Sequence, residues 1–434
     1  MTRHDQDSHI FGLDLESRIP PRLGLVILVT TVFGVVALCV VYVRGLFWNQ
    51  PFPLNTFLPG PATRFGDFFG SHDHWRRNNF SDVSYAGAYF PTTYLFLDLL
   101  VDHLRMPYTA LFAYFSTVFV GTIAGTKLLL EPVSPRSIGR GLCYLIVFIN
   151  YPFFFMVHTG NLEGWTFVLI LFAVANVSVH REERAAIYLG LAIAMKAFPI
   201  VFLPLLIFNV NQHRKAKVVV RVIATAATST ILALLILPGG LTSGWSVIGN
   251  LRKSQTMYSE LMVFGDPGTN FGHSMLNGIH AIYGSHVLST RQWWWLIVLI
   301  GIATSGILFM LQHRAQVSLW KVATTAAITG CLFVPTSTDY KLLYFTPAIL
   351  LFCVAKERII KFDCVAAVLL VFIISPKPWW VLSRSQYFNA GVWMTPLLMT
   401  LLLVLLALDA FYHYRRLQSS QNSLDEIQLA RRST

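Results

Sequence analysis

Long apolar stretches, separated by shorter polar segments, run through most of the chain. The first, Gly24 to Val43, contains no charged residue, and about 20 helical residues are enough to cross a bilayer. Repetition of such stretches predicts an all-α fold, a polytopic transmembrane helical bundle with about ten spans. The predicted spans are Gly24 to Val43, Pro107 to Leu130, Gly141 to Val157, Trp165 to Val179, Val218 to Leu237, Trp293 to Leu311, Val322 to Val334, Leu342 to Val354, Cys364 to Ile374 and Val392 to Phe411.

One apolar stretch, Ala185 to Phe208, conflicts with a single crossing. It lies between the basic segments Arg181 to Arg184 and Asn211 to Lys217, and basic loops favour the cytoplasmic side. Both segments can be cytoplasmic if the stretch breaks at Lys196-Ala-Phe-Pro199, because proline removes a backbone donor and disfavours helix in the residue before it. The pattern therefore predicts a broken re-entrant hairpin made of two half-length helices.

The distribution of basic residues also predicts the orientation of the chain. A cytoplasmic amino terminus places most basic loops on the cytoplasmic side, as the positive-inside rule requires. We therefore predict a cytoplasmic segment at 1–23, a single transmembrane unit at 24–411 and a cytoplasmic tail at 412–434, in the plasma membrane. The extracytoplasmic segments are then Arg44 to Ala88, His158 to Glu163, Pro238 to Gln292, Pro335 to Lys341 and Ser375 to Gly391.

Composition supports this interpretation. Of the 434 residues, 55% are hydrophobic and 12% are charged, a balance that excludes a soluble globular domain. The net charge of +12 is spread loop by loop rather than along one groove, so we predict contact with membrane lipids and none with nucleic acid. The five cysteines lie in or beside apolar runs without a CxxC pair, which is typical of buried thiols.

The first extracytoplasmic loop contains the strongest catalytic candidate. Asp67 stands between aromatic residues in Phe65-Gly-Asp-Phe-Phe69, and an apolar wall would raise the pKa of its carboxyl toward a value that suits a general base. The alternative is a loop carboxylate that caps a helix or pairs with Arg64. The predicted active site is formed by the extracytoplasmic loops, with Asp67 as its base.

Further polar residues follow Asp67 in the same loop. Arg76 offers a forked donor that could hold a phosphate, or it could contact lipid headgroups. Histidine and carboxylate side chains can bind divalent ions, but the alternating His72, Asp73 and His74 match no strong metal-binding motif. The sequence therefore predicts no cofactor and names no metal ligand, and it leaves metal dependence and the roles of these three residues open.

Lys196 lies at the predicted break of the hairpin. A lysine at membrane depth is costly unless it meets a lipid phosphate, a carboxylate or a wet cavity. We therefore predict that one of these three lies close to Lys196. The alternative is a structural pair of Lys196 with Glu163 or with a helix carbonyl.

The remaining candidates are polar residues of the outer segments. Amide, hydroxyl and charged side chains can pair with the donors and acceptors of a sugar, although polar loops also have this composition by default. The predicted substrate-binding residues are Asn161, Glu163, Asn270, His273, Ser274, Asp339, Tyr340 and Lys341.

These motifs together resemble the integral-membrane glycosyltransferases of the C-type fold, and most closely glycosyltransferase family 87, the polyprenyl-phosphate-mannose-dependent mannosyltransferases. The chain departs from the family's pattern in the last motif, where Asp339-Tyr-Lys341 replaces the aromatic and histidine residues common there. The resemblance is based on Asp67 after the first span, Tyr89-Phe-Pro91, Gly160-Asn161, Gly190 to Lys196 followed by Pro199, Asn270 to Ser274 with Gly278, and Pro335 to Tyr340.

The resemblance implies transfer of a hexosyl group, typically mannose, from a polyprenyl-phosphate-linked donor to a lipid or glycan acceptor on the extracytoplasmic face. The residue that matches the family's catalytic base is Asp67, which implies an inverting reaction. The resemblance also makes Lys196, Arg76 and Arg252 of the long outer loop candidates to bind the departing phosphate. A transporter or lipid flippase is the main alternative, because an intramembrane lysine and broken helices also mark translocation pathways. A non-catalytic partner in an envelope assembly is a third possibility.

Overall fold

The structure is a computed structural model, and its helices account for nearly all of the described chain. Two short strands form the exception: β1 (Trp380–Leu382) pairs antiparallel with β2 (Tyr387–Asn389). The structure describes residues 21–48, 64–71, 89–104, 106–131, 138–237, 263, 271–283, 291–334, 337–355, 359–376, 380–382, 387–389 and 391–432.

The helices follow the predicted apolar stretches, with two 3₁₀ segments at Phe198–Phe202 and Asp339–Phe345. In chain order the α-helices are α1 (Pro21–Trp48), α2 (66–71), α3 (Pro91–Leu104), α4 (Pro107–Leu129), α5 (Ile138–Ile149), α6 (Tyr151–Thr159), α7 (Glu163–Ser178), α8 (Glu182–Met195), α9 (Leu203–Asn209), α10 (Gln212–Ile236), α11 (Met275–Tyr283), α12 (Arg291–Arg314), α13 (Leu319–Leu332), α14 (Thr346–Val354), α15 (Lys361–Ile374) and α16 (Gly391–Arg432).

Five helices in the described part of the chain, α1, α4, α10, α12 and α16, are long and apolar enough to cross a membrane. The pair α5 and α6, bent by 46°, makes a sixth candidate if it counts as one span. Shorter apolar helices of 10–17 residues lie within α3, α7 and α13 and across the 3₁₀ segment and α9. The helical membrane fold is therefore confirmed, whereas the count of about ten spans stays a prediction.

The predicted break after α8 is confirmed. The helix ends at Met195, Lys196 is extended, and Pro199 lies in the 3₁₀ segment that precedes α9. Near the start of α8, Glu183 pairs with Lys217 of α10 at 2.8 Å, and α10 follows α9 after two residues. The start of α8 and the end of α9 therefore lie together at the open end of the hairpin, and Lys196 lies at its tip.

The centre of the bundle is α7, which is buried along most of its length and packs between α4 and α8. Helix α10 runs beside α8 at close range, because a Cβ added at Gly190 would lie 2.7 Å from the carbonyl oxygen of Val222. Close backbone approach of this kind is common between membrane helices, where small residues favour packing. This packing fixes the tip of the hairpin beside the first turn of α7.

Candidate active site

The short helix α2 is held against the turn that joins α6 to α7. The N–H of Phe65 donates to the carbonyl of His158 at 2.8 Å, and Phe68 is fully buried against Tyr114. Gly160 in that turn has a φ of 67°, and a Cβ added there would lie 2.9 Å from the Cβ of Phe68. Only glycine meets both the left-handed backbone and the close approach without strain.

Asn161 links α2 to the start of α7. Its Nδ2 donates to Oδ2 of Asp67 at 2.7 Å. Its Oδ1 accepts from the hydroxyl of Tyr89 at 3.0 Å and from the N–H of Glu163 at 3.0 Å. The backbone oxygen of Asn161 accepts from the hydroxyl of Tyr114. The residue therefore connects α2, the segment just before α3, α4 and α7.

Asp67 is exposed to solvent as a residue, yet many protein atoms surround its carboxylate. This burial raises the pKa of the carboxyl above its ordinary value, although hydrogen bonds from Asn161 and Thr159 and the charge of Lys196 oppose the rise. The predicted direction is confirmed. The guanidinium of Arg64 lies over the ring of Phe65, 5.4 Å from its centroid. The carboxylate of Asp67 accepts a hydrogen bond from Asn161.

Lys196 forms an ion pair with Glu163, so the structural pairing considered from the sequence is confirmed. The other oxygen of Glu163 accepts from the hydroxyl of Tyr344 at 2.6 Å. The ammonium of Lys196 also lies over the ring of Tyr89, 4.9 Å from its centroid. Glu163 is 2% exposed, and the side chain of Lys196 is 14% exposed. The lysine is therefore partly open to solvent, while its carboxylate partner is buried.

Lys341 joins this group from the 3₁₀ segment Asp339–Phe345. It is buried, its ammonium lies over the ring of Phe198 at 5.5 Å, and it interacts electrostatically with Glu163 and Lys196. Tyr340 lies beside Phe155, with 6.3 Å between the ring centroids. The carboxylate of Asp67 therefore lies within electrostatic range of the ammonium of Lys196, and a second ammonium, that of Lys341, lies within range of Lys196.

His273 and Asp339 form a second buried group. The imidazole of His273 contacts Asp339, whose other carboxylate oxygen accepts from the hydroxyl of Tyr151 at 2.6 Å. The N–H of His273 donates to the carbonyl of Ser337 at 2.7 Å. These bonds fasten the segment before α11 to the segment that carries Lys341.

Ser274 has a local partner, because its hydroxyl accepts from the N–H of Asn277 at 3.1 Å in the first turn of α11. This arrangement is typical of a helix cap. A substrate-binding role for Ser274 stays a prediction, as do those for Asn161, Glu163, His273, Asp339, Tyr340 and Lys341.

Several predicted residues lie outside the part of the chain that the structure describes. Within the described ranges, no group of three or more His, Cys, Asp or Glu side chains could hold a metal ion. The predicted residues outside them are Arg76, Arg252, Asn270, His72, Asp73 and His74.

Sequence reasoning missed the tyrosines of the site. Tyr344 was hidden in an apolar run and Tyr151 stood next to a proline, whereas Tyr89 entered only as part of a motif. A tyrosine within an apolar stretch is itself a signal, because a buried hydroxyl usually needs a hydrogen-bond partner. The sequence does not indicate which carboxylate that partner is.

Comparison with protein families gives a match over the middle of the chain. The model of glycosyltransferase family 87 matches residues 89–335, more than half of the chain. The matched region includes Asn161, Glu163 and Lys196, begins after Asp67 and ends before Asp339. Comparison with curated proteins gave no match.

Proposed function

The chain belongs to glycosyltransferase family 87, and we propose that it transfers a hexosyl group, mannose in the first instance, from a polyprenyl-phosphate-linked donor. The acceptor is a lipid or glycan hydroxyl on the extracytoplasmic face of the plasma membrane. The observation that carries this proposal is the Asp67 carboxylate, which is accessible, has a raised pKa and lies near the ammonium of Lys196.

Asp67 acts as the general base. Its carboxylate takes the proton of the acceptor hydroxyl as the hydroxyl oxygen attacks the anomeric carbon. The bond between that carbon and the phosphate oxygen breaks, and the polyprenyl phosphate leaves with the electron pair. Attack opposite the leaving group inverts the anomeric configuration. A base whose pKa is raised is a stronger proton acceptor, which favours this step.

Lys196 and Lys341 stabilise the departing phosphate. Lys196 has its charge balanced by Glu163 in the free protein, so a single added phosphate would share Lys196 with that carboxylate. Lys341 supplies a second positive charge to the same group, and positive charge placed where negative charge develops is an effective form of catalysis. Arg76 and Arg252 are proposed as further phosphate ligands.

The proposed membrane arrangement has about ten spans, cytoplasmic termini and a site that opens to the outside. Charge distribution supports this arrangement, because Glu183, Lys217 and Arg221 meet at the open end of the hairpin, and Lys196 and Asp67 lie at the other end. The shorter apolar helices α7 and α13 are proposed to complete the bundle between the longer ones. Polar loops at the outer face then form the substrate wall.

The test is transfer of radiolabelled mannose from polyprenyl-phosphate-mannose in membranes that contain the wild type or Asp67→Asn. The variant keeps the shape of the side chain and removes the base, so we expect transfer to fall about 10²- to 10⁴-fold at equal protein abundance. Glu183→Gln is the matched control, because Glu183 is an exposed carboxylate at the opposite end of α8. It should transfer like the wild type.

Two outcomes would contradict the proposal. Retained transfer by Asp67→Asn would exclude Asp67 as the base. Absence of transfer by the wild type with mannose and with a panel of other polyprenyl-phosphate sugars and acceptors would exclude the reaction. Saturable flux of a solute or lipid without consumption of donor would then indicate a transporter or lipid flippase.

A further inference from the structure

The orientation of the Asn161 amide is fixed by its neighbours. A backbone N–H can only donate, so the amide atom 3.0 Å from the N–H of Glu163 must be the oxygen. The hydroxyl of Tyr89 donates to that same oxygen at 3.0 Å. With the oxygen engaged twice, the NH₂ group is turned toward Asp67, where it donates at 2.7 Å.

This geometry gives Asn161 a different task from binding sugar. Its oxygen already has two donors, it is 4% exposed, and one of its amide hydrogens is used by Asp67. An ionised carboxylate has about four lone-pair sites, so the amide leaves sites on Asp67 for the incoming hydroxyl. The amide therefore fixes the orientation of the Asp67 carboxylate and leaves it free to accept the proton of the acceptor hydroxyl.

We infer that Asn161, with its amide oriented by Tyr89 and the first turn of α7, is a positioning residue that aims the Asp67 carboxylate at the acceptor hydroxyl and favours its ionised form. The role in catalysis rests on the proposed function, whereas the aim and ionisation of Asp67 are properties of the protein alone. Asn161 was predicted from the sequence to bind substrate, so the inference reassigns it.

Other charged and titratable groups near Asp67 must be kept constant in a test. Lys196 and Glu163 act on it electrostatically, the hydroxyl of Thr159 lies close to it, and Tyr114 lies within electrostatic range. Neither Asn161→Ala nor Tyr89→Phe substitutes any of these side chains. Tyr89→Phe also keeps the ring beneath the ammonium of Lys196.

The first measurement is an infrared titration of the full-length protein in lipid nanodiscs. The carbonyl stretch of protonated Asp67 is identified as the band that Asp67→Asn lacks. We expect Asn161→Ala to raise the midpoint of Asp67 protonation by about one pH unit, because a donor to the charged form is lost. Tyr89→Phe should shift it less, in the same direction. Asn176→Ala is the control, because Asn176 is a buried asparagine of α7 that donates to the carbonyl of Phe172.

The second measurement is the pH profile of transfer. The acid limb of the kcat profile should move upward with the infrared midpoint, and kcat on the plateau should fall about tenfold in Asn161→Ala because the base is no longer aimed. The KM for donor and acceptor should stay within about threefold of the wild type, since the amide holds the base rather than the substrate.

The outcomes separate the inference from the proposed function. An unchanged infrared midpoint in Asn161→Ala, or a raised KM with unchanged kcat, would overturn the positioning role. A raised midpoint in a protein that transfers no sugar would support the positioning role and contradict the proposed function. If Asn161→Ala fails to fold, Tyr89→Phe decides: an unshifted midpoint in that variant overturns the inference.

Discussion

Helix α13 connects two groups of buried charge that are built differently. At its first turn, Lys321 pairs with Asp409 of α16 at 2.6 Å, and both side chains are about 5% exposed. At its other end, Cys331 contacts the backbone of Lys341, in the group that contains Glu163 and Lys196. The first group is closed, because each charge is matched by a buried partner. The second group borders the accessible carboxylate of Asp67.

A second closed pair lies near the first. Arg22 and Asp363 meet at 2.9 Å with side chains 3% exposed, and the Arg22 guanidinium lies over Phe352. Closed pairs of this kind hold helices in register, and a well-packed apolar replacement can often substitute for them. The comparison teaches that burial of charge alone does not identify a site. Access from solvent distinguishes the group around Asp67.

The largest expected effect comes from breaking the closed pair. Lys321→Ala leaves Asp409 buried without its lysine, and we expect a loss of about 3–5 kcal/mol in the free energy of unfolding. Unfolding in mixed detergent, followed by circular dichroism, measures it. The double variant Lys321→Met with Asp409→Leu should recover most of the loss. A single variant as stable as the wild type would show that this pair does not support the fold.

A single and a double substitution of the pair Lys196–Glu163 should separate an effect on stability from an effect on activity. Lys196→Met removes the proposed phosphate ligand, and we expect kcat/KM for the donor to fall about 10²-fold. Adding Glu163→Gln removes the orphaned charge and should restore stability without restoring transfer. Transfer is measured per folded molecule against Lys217→Met, an exposed lysine of α10. Full recovery of transfer in the double variant would make the pair structural, like the closed ones.

A smaller effect is expected where α2 meets the turn before α7. Gly160→Ala places a Cβ against Phe68 and forces a left-handed backbone on alanine, which costs about 1–2 kcal/mol. We expect transfer to fall about tenfold because Asp67 is displaced. Gly141→Ala is the control, since a Cβ there meets no atom within 4 Å. Equal activity of both variants would show that the placement of α2 tolerates change.

The smallest effect at neutral pH is the pH dependence of the wild type. Burial raises the pKa of Asp67 above the ordinary 3.8, so the base becomes protonated at a higher pH than an exposed aspartate would. The rate of transfer should therefore be maximal above that raised pKa and decline as the pH falls through it. A pH profile of kcat whose acid limb lies at or below 3.8 would contradict this assignment.

Much of the fold was predictable from local pattern. The apolar stretches indicated the helices, and Pro199 with the two basic segments indicated the break that the structure confirms. Asp67 between aromatic residues indicated a raised pKa, and Lys196 at membrane depth indicated a phosphate, a carboxylate or a wet cavity nearby, of which the structure shows a carboxylate. These predictions succeed because helix length, proline geometry and the cost of a membrane charge depend on neighbouring residues in the sequence.

The sequence by itself therefore determined the helical membrane fold, the hairpin break and the identity of the candidate base. Only the tertiary structure decided that Tyr344 holds Glu163, that Asp339 holds His273 and that the Asn161 amide faces Asp67. These partners are 66 to 181 residues apart along the chain. Hydrogen bonds depend on direction and distance in space, and helix packing sets both.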